Sequence, residues 1–327
     1  MSKKSLATIA AVAIFAATIF TAPVAAQGFP SKQVRITVSY GGGTAPDIVA
    51  RLMAEKFRES WGQQVLVEGR PGGAGFIAIE AFKRYAPDGH ELAMLDTGPL
   101  AINPSLFKKI PYDSERDLVP VGLVFYAPFI VTVGADSPIN SVRELIAAAR
   151  ANPGKISYAT PGVGTVQHLG AAQMEFGSNS QMLHVPYKDM GQLLSSVATG
   201  DVSWTLTTVG SSMSFVQAKK LKLLAVATKT RLASHPDLPT VEESGGPAGY
   251  DVQSWIALFA PRGTPPDVVG KINQEIQKGL QQKDMRDRLQ ALGLTPAGGT
   301  PTQLGQLLGN DIRRWGEVVK RTGASAD

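Results

Sequence analysis

Apolar positions along the chain follow two periods. Runs with strand character (Val34–Tyr40, Val65–Val67, Leu92–Leu95, Val121–Val133, Ile156–Ala159, Val202–Leu206 and Leu223–Ala227) are separated by stretches of helical spacing. After Gly41-Gly42-Gly43, the residues Ile48, Val49, Leu52, Met53 and Phe57 fall on one helical face, and a stop is predicted near Gly62. Ser141-Val142-Arg143-Glu144 reads as a capping box opening a short helix that Asn152-Pro153-Gly154 ends. A second box, Thr300-Pro301-Thr302-Gln303, opens a C-terminal helix with one stripe of Leu304, Leu307, Leu308, Ile312, Trp315 and Val319. Strands alternating with helices predict an α/β protein whose mainly parallel sheets are covered on both faces.

The order strand, Gly-rich loop, helix start occurs twice, at 34–47 and at 156–168. In open α/β sheets such loops lie at the carboxyl ends of strands, where ligands bind. The pair therefore predicts one loop per lobe across a cleft. In the first loop, Tyr40-Gly41-Gly42-Gly43-Thr44-Ala45-Pro46-Asp47, Thr44 is placed to cap the helix and Pro46 falls in its first turn. Glycines leave main-chain N–H groups unobstructed. N–H groups at a helix start, with the helix dipole, make an anion site. The second loop, Thr160-Pro161-Gly162-Val163-Gly164-Thr165, repeats the design, with His168 one turn inside the next helix.

Neither loop contains Lys or Arg. The expected hold on an anion is thus a set of charge-assisted hydrogen bonds at about 1.5–3 kcal/mol each. Plain tight turns, and a helix-packing role for His168, are the competing readings. If the loops bind, valine at Gly43 or Gly164 should block the ligand and spare the fold.

Length and composition narrow the classes. At about 150 residues per domain, 327 residues favour two domains. Without Cys there is no disulfide, thiolate nucleophile or Cys-ligated zinc, and the four His are scattered, so no metal is expected. Gly73-Ala74-Gly75-Phe76-Ile77-Ala78, with Asp96 21 residues beyond Gly75, has the spacing of a dinucleotide fingerprint. Glu68–Gly72 lengthens the turn that should be tight, and the motif follows the second strand, so it is read as a structural loop. No G-x-S-x-G or H-E-x-x-H is present, and neither catalysis nor a cofactor is expected.

Lys3 and Lys4, the apolar stretch Ser5–Phe20 and the small residues Val24-Ala25-Ala26 read as a signal peptide, residues 1–26. The 16 apolar residues fall short of a membrane span, which needs roughly 20. Removing two Lys from the +5 chain leaves 30 basic and 27 acidic residues, a mild +3. The basic residues are dispersed, so no nucleic-acid surface is indicated.

Motifs along nearly the whole mature chain carry a resemblance. They include Phe29-Pro30-Ser31-Lys32-Gln33-Val34, Glu68-Gly69-Arg70-Pro71-Gly72-Gly73-Ala74-Gly75, Ala86-Pro87-Asp88-Gly89, Ala101-Ile102-Asn103-Pro104, Asn152-Pro153-Gly154-Lys155, His184-Val185-Pro186-Tyr187 and Leu258-Phe259-Ala260-Pro261. In these the chain resembles the Bug or TctC family, extracytoplasmic solute receptors of tripartite tricarboxylate transporters. The resemblance implies a type II periplasmic-binding-protein fold: two α/β lobes, 27–125 plus 251–327 and 126–250, joined by crossover strands and closing over a carboxylate. It implies ligand contacts from Tyr40, Gly41, Gly42, Gly43 and Thr44, and from Thr160, Gly162, Gly164 and Thr165. The segments with Thr97 and Gly98, and with Thr207 and Thr208, would complete the pocket.

Membrane permease subunits are the implied partners, and a periplasmic monomer is expected. An exported hydrolase, or a ligand sensor for a membrane kinase, are the alternatives. Where the family pattern has Phe-Asp-x-x-Pro-Ser, this chain has Leu206-Thr207-Thr208-Val209-Gly210-Ser211. The missing acid at Thr207 points to a non-amino ligand, aromatic or dicarboxylic, because a buried ammonium needs a counter-charge.

Overall fold

In the computed structural model, which describes residues 28–326, apolar residues alternating around Val34, Ile36 and Val38 place a strand at the centre of the first sheet. The expected signal segment lies outside the described residues. The first half of the chain builds β1 (Val34–Val38), α1 (Ala45–Trp61), β2 (Val65–Gly69), α2 (Phe76–Phe82), β3 (Glu91–Asp96) and the short α3 (Asn103–Leu106). A long strand, β4 (Leu118–Gly134), leads to α4 (Val142–Ala151), β5 (Ser157–Thr160), α5 (Val166–Ser178), β6 (Leu183–Pro186) and α6 (Met190–Thr199). Then come β7 (Trp204–Thr208), α7 (Val209–Gln217), β8 (Leu221–Val226), β9 (Gln253–Pro261), α8 (Pro266–Gln281), α9 (Lys283–Ala291), β10 (Thr295–Pro296) and α10 (Pro301–Thr322).

β2, β1 and β3 are parallel neighbours, and so are β6, β5 and β7. The sheets are more mixed than the alternation predicts, because β4, β8, β9 and β10 all pair antiparallel. The apolar run predicted at 121–133 is one 17-residue strand serving both sheets. Up to Pro128 it pairs with β9; from Phe129 onward it pairs with β7 on one edge, and from Ile130 with β8 on the other. The change of partner falls three residues beyond the boundary implied for the first lobe. Helices cover both faces of the first sheet. Leu92 and Met94 pack with Val49, Met53 and Phe57 of α1, whereas Ala93 and Leu95 pack with Ile79, Phe82 and Trp315 on the opposite side.

The helix signals hold with one adjustment here. α1 ends on Gly62, whose φ of 65° supplies the left-handed cap. The box at Thr300 is complete, with reciprocal bonds between Thr300 and Gln303. At Ser141 only half of it forms: the Ser141 hydroxyl accepts from Glu144 N–H at 3.1 Å, but the Glu144 carboxylate accepts from Asn140 N–H at 2.7 Å, one residue upstream. The sequence pattern leaves the strands β6, β9 and β10 and the helices α2, α3 and α6–α9 unmarked. β9 is apolar on both faces, which leaves no alternation to read, and α9 has a mostly polar surface.

α10 is fastened to β9 by a buried polar contact. The Trp255 indole N–H donates to Asp311 at 2.8 Å, and Arg314 approaches the other carboxylate oxygen at 3.1 Å. The Trp255 backbone N–H donates to the Thr97 hydroxyl at 2.9 Å. Asp311→Ala leaves the indole N–H buried without its acceptor. It should lower the unfolding free energy by about 1–3 kcal/mol in urea titration followed by tryptophan fluorescence.

Candidate functional site

Two pairs of parallel strands end at one cleft from opposite sides. β1 delivers Tyr40 and the glycine loop, and β3 delivers Asp96 and Gly98; across from them β5 leads to Thr165 and β7 to Thr208. This is the carboxyl-edge geometry of open α/β sheets. The cleft holds a cavity of about 580 Å³. Its floor is apolar, from Phe125, Ala127, Phe129, Ile256 and Leu294, and its polar wall adds Gln167, Ser211 and Ser254 to the strand-end residues. A second cavity of about 420 Å³ shares Tyr40, Gly98 and Thr165 with the first and extends to Gly41, Gly164, Leu106 and Phe107. Among the described residues no Lys, Arg or His lines either one.

The first loop differs from its sequence reading in three respects. Thr44 occupies the N-cap of α1, but its hydroxyl turns back and donates to the Gly41 carbonyl at 2.8 Å, so no side chain caps the helix. The Gly43 N–H donates to Asp47 at 3.0 Å and is already used. Arg51 pairs with the same carboxylate at 2.9 Å and holds Asp47 below the ordinary range. Gly43, Thr44, Ala45, Pro46 and Ile48 border the cavity; Gly42 lies off both cavities, beside Asp47.

The second loop is more self-contained than expected. The Thr165 hydroxyl caps α5 by accepting from His168 N–H at 3.3 Å. Gly162 N–H donates to the Thr160 hydroxyl at 3.3 Å, and Gly164 N–H donates to His168 Nδ1 at 3.1 Å. Thr160 is buried against His184 Nε2 at 2.6 Å, and the two imidazoles stack with centroids 4.1 Å apart. Thr160, Gly162 and His168 thus line neither cavity, and the histidines brace the loop. Burial pushes both imidazoles down, His168 to about 4.

Valine at Gly164 would not spare the fold. A Cβ there would meet Leu106 at 2.2 Å, where the two halves touch, and φ is +77°. Gly43 has φ of +81° but open space around it.

Two further expectations change. Thr97 is fully buried and engaged with Trp255, so only its neighbour Gly98 reaches the cavities. Thr207 bonds to the Thr132 hydroxyl at 2.8 Å inside the second sheet, while Thr208, the next residue along β7, faces the cleft. A missing acid at 207 therefore says nothing about the ligand. An acid is present in the cleft at Asp96, which lines the larger cavity and accepts from the Tyr40 hydroxyl. Burial raises Asp96 to about 6. The sequence held a signal for it: an acid closing the otherwise apolar run Leu92–Leu95.

Two α/β lobes joined by a shared strand, with a cleft at facing strand ends, define a periplasmic-type solute-binding protein. The tripartite tricarboxylate transporter family receptor (TctC) matches residues 49–324, and the chain belongs to that family, in which the Bug proteins also fall. It is a family of substrate-binding proteins, not enzymes.

A UPF0065 protein from the tcbD-tcbE intergenic region of Pseudomonas sp. strain P51 is 35% identical over 95% of this chain and 92% of that one. BugT of Bordetella pertussis is 31% identical over 97% of each. Among solved structures, Rpa4515 of R. palustris with adipate has a TM-score of 0.79 at 30% identity, covering 91% of this chain and 99% of that one. MatC of Rhodopseudomonas palustris with bound malate has a TM-score of 0.74 at 29% identity, covering 89% and 100%.

The buried histidines give a pH dependence of stability. His168 protonates at about 4 in the folded chain and near 6.5 when unfolded, so the unfolded state takes up the proton first. Stability should be complete above about pH 6.5 and fall by up to about 3 kcal/mol as pH drops toward 4. Chemical denaturation at stepped pH checks this, and His168→Gln should flatten the slope.

Proposed function

We propose that the chain is a periplasmic receptor that captures a small organic carboxylate and presents it to the membrane subunits of a tripartite tricarboxylate-type transporter. The observation that carries this reading is an uncapped helix start, α1, bordering a cavity with no basic side chain. An anion there draws on the N–H groups of the first turn and on the helix dipole. Adipate in Rpa4515 and malate in MatC support the ligand class.

The ligand is a non-amino acid, aromatic or dicarboxylic, because the floor of Phe125, Phe129 and Ile256 is apolar. The acid in the wall, Asp96, has one open oxygen against the three donors of an ammonium group. In this reading residues 1–26 are removed on export, and the mature chain works as a monomer. Its halves hinge about β4 and the entry to β9.

A melting screen of the mature protein against mono- and dicarboxylates, aromatic acids and amino acids tests the capture step. A true ligand at 100 times Kd should add about 2.7 kcal/mol of stability. Gly43→Val, with room for the side chain but a strained backbone, should weaken binding at least tenfold. Unchanged affinity would remove the first loop from the site.

A further inference from the structure

Among the described residues, the wall of the larger cavity contains one buried side-chain group left without a partner. Asp96 is 7% exposed at the end of β3. One of its carboxylate oxygens accepts from the Tyr40 hydroxyl; the other, Oδ1, is buried and has no side-chain partner, with only the backbone N–H groups of Asp96 and Gly98 near the carboxylate. Of the residues that line the larger cavity, Asp96 alone has such an orphaned side-chain atom. A buried carboxylate oxygen left without a donor is costly, and native structures rarely keep one without a use.

The geometry assigns Asp96 as a specificity-determining residue: its open Oδ1 accepts a hydrogen bond from a hydroxyl on the bound acid, so that the cleft prefers hydroxycarboxylates to their unsubstituted counterparts. This deepens the receptor reading and rests on it. A ligand carboxylate against Asp96 would meet like charge in an apolar surround. At the start of α1 it meets N–H groups instead. With the carboxylate there, the group turned toward β3 must be a donor. A hydroxyl offers one donor to one open acceptor. An ammonium group brings three, and the neighbouring floor of Phe125, Phe129 and Ile256 has no acceptor for the others.

Protonation should modulate this preference. Two titratable groups bear on Asp96: Tyr40, from the end of β1, and Tyr112, from the segment after α3, whose phenol donates to the Pro99 carbonyl. Among the described residues no Lys, Arg or His acts on it. Burial raises the carboxyl to about 6, against the opposing pull of the Tyr40 hydrogen bond and of the nearby backbone N–H groups. The carboxylate is thus ionised and fully accepting at pH 7.5. At pH 5 it is largely protonated and a poorer acceptor.

The test is calorimetric titration of the mature protein with two matched sets: succinate, malate and aspartate, and phenylacetate with mandelate. Each is run at pH 7.5 and 5, on wild type, Asp96→Asn and Tyr40→Phe. In wild type at pH 7.5 the hydroxy acid of at least one set should bind ten times more tightly than its unsubstituted partner. That preference should shrink several-fold at pH 5. Asp96→Asn should bring it within twofold and remove the pH effect beyond that of the ligand's own ionisation. Tyr40→Phe leaves the acid in place but removes its donor, so the loss of preference should begin at higher pH. This variant decides the matter if the Asn variant melts early.

Equal binding of plain and hydroxy acids, or tighter binding of aspartate than malate, would overturn the role of Asp96 and leave the receptor reading intact. No binding of any acid by wild type at either pH would overturn the receptor reading itself.

Discussion

The sharing of β4 between two sheets is the constraint on which the rest of the structure depends. A strand hydrogen-bonded to β9 along its first part and to β7 and β8 along its last cannot leave either sheet without breaking a ladder. It fixes which ends of the parallel strands face one another. Because β1 and β3 belong to one sheet and β5 and β7 to the other, their carboxyl edges converge on a single cleft. The pairing of Trp255 with Asp311 and Thr97 then fastens the C-terminal helix to β9 at the same level. The site is therefore built on buried strands, although its loops lie at the surface.

Within the cleft, polar groups fall into two kinds. Most are satisfied inside the protein: Gly43 by Asp47, Gly162 by Thr160, Gly164 by His168. These bonds hold the loops in shape before any ligand arrives, which reduces the ordering cost of binding. A smaller set is left open, namely the first turn of α1 and one oxygen of Asp96. The open set bears on specificity, and the closed set keeps it in place.

Much of this was legible in the residues. The periodicities of α1 and α10, the glycine after Trp61 and the box at Thr300 act locally, and local signals survive folding. The two glycine loops were legible because a strand-to-helix turn needs residues free of Cβ. What was hidden depends on partners far along the chain. Nothing near Thr207 says that its hydroxyl meets Thr132 across β4, nor does anything near His168 say that it turns onto Gly164 and stacks on His184. Asp96 was noticed only as the acid of a dinucleotide-like spacing. The glycine that suggested that spacing, Gly75, has a simpler cause: its φ is +91°, and a Cβ would lie 2.9 Å from Pro99. The bare position serves the packing beneath the cleft.

The contact between Leu106 and Gly164 carries a mechanical consequence. The leucine methyls fill the volume that any side chain at 164 would need, so the opposing jaws rest on each other across a single hydrogen atom. That junction acts as a doorstop whose thickness one residue sets. No side chain can be added there without disturbing the packing on both sides of the junction.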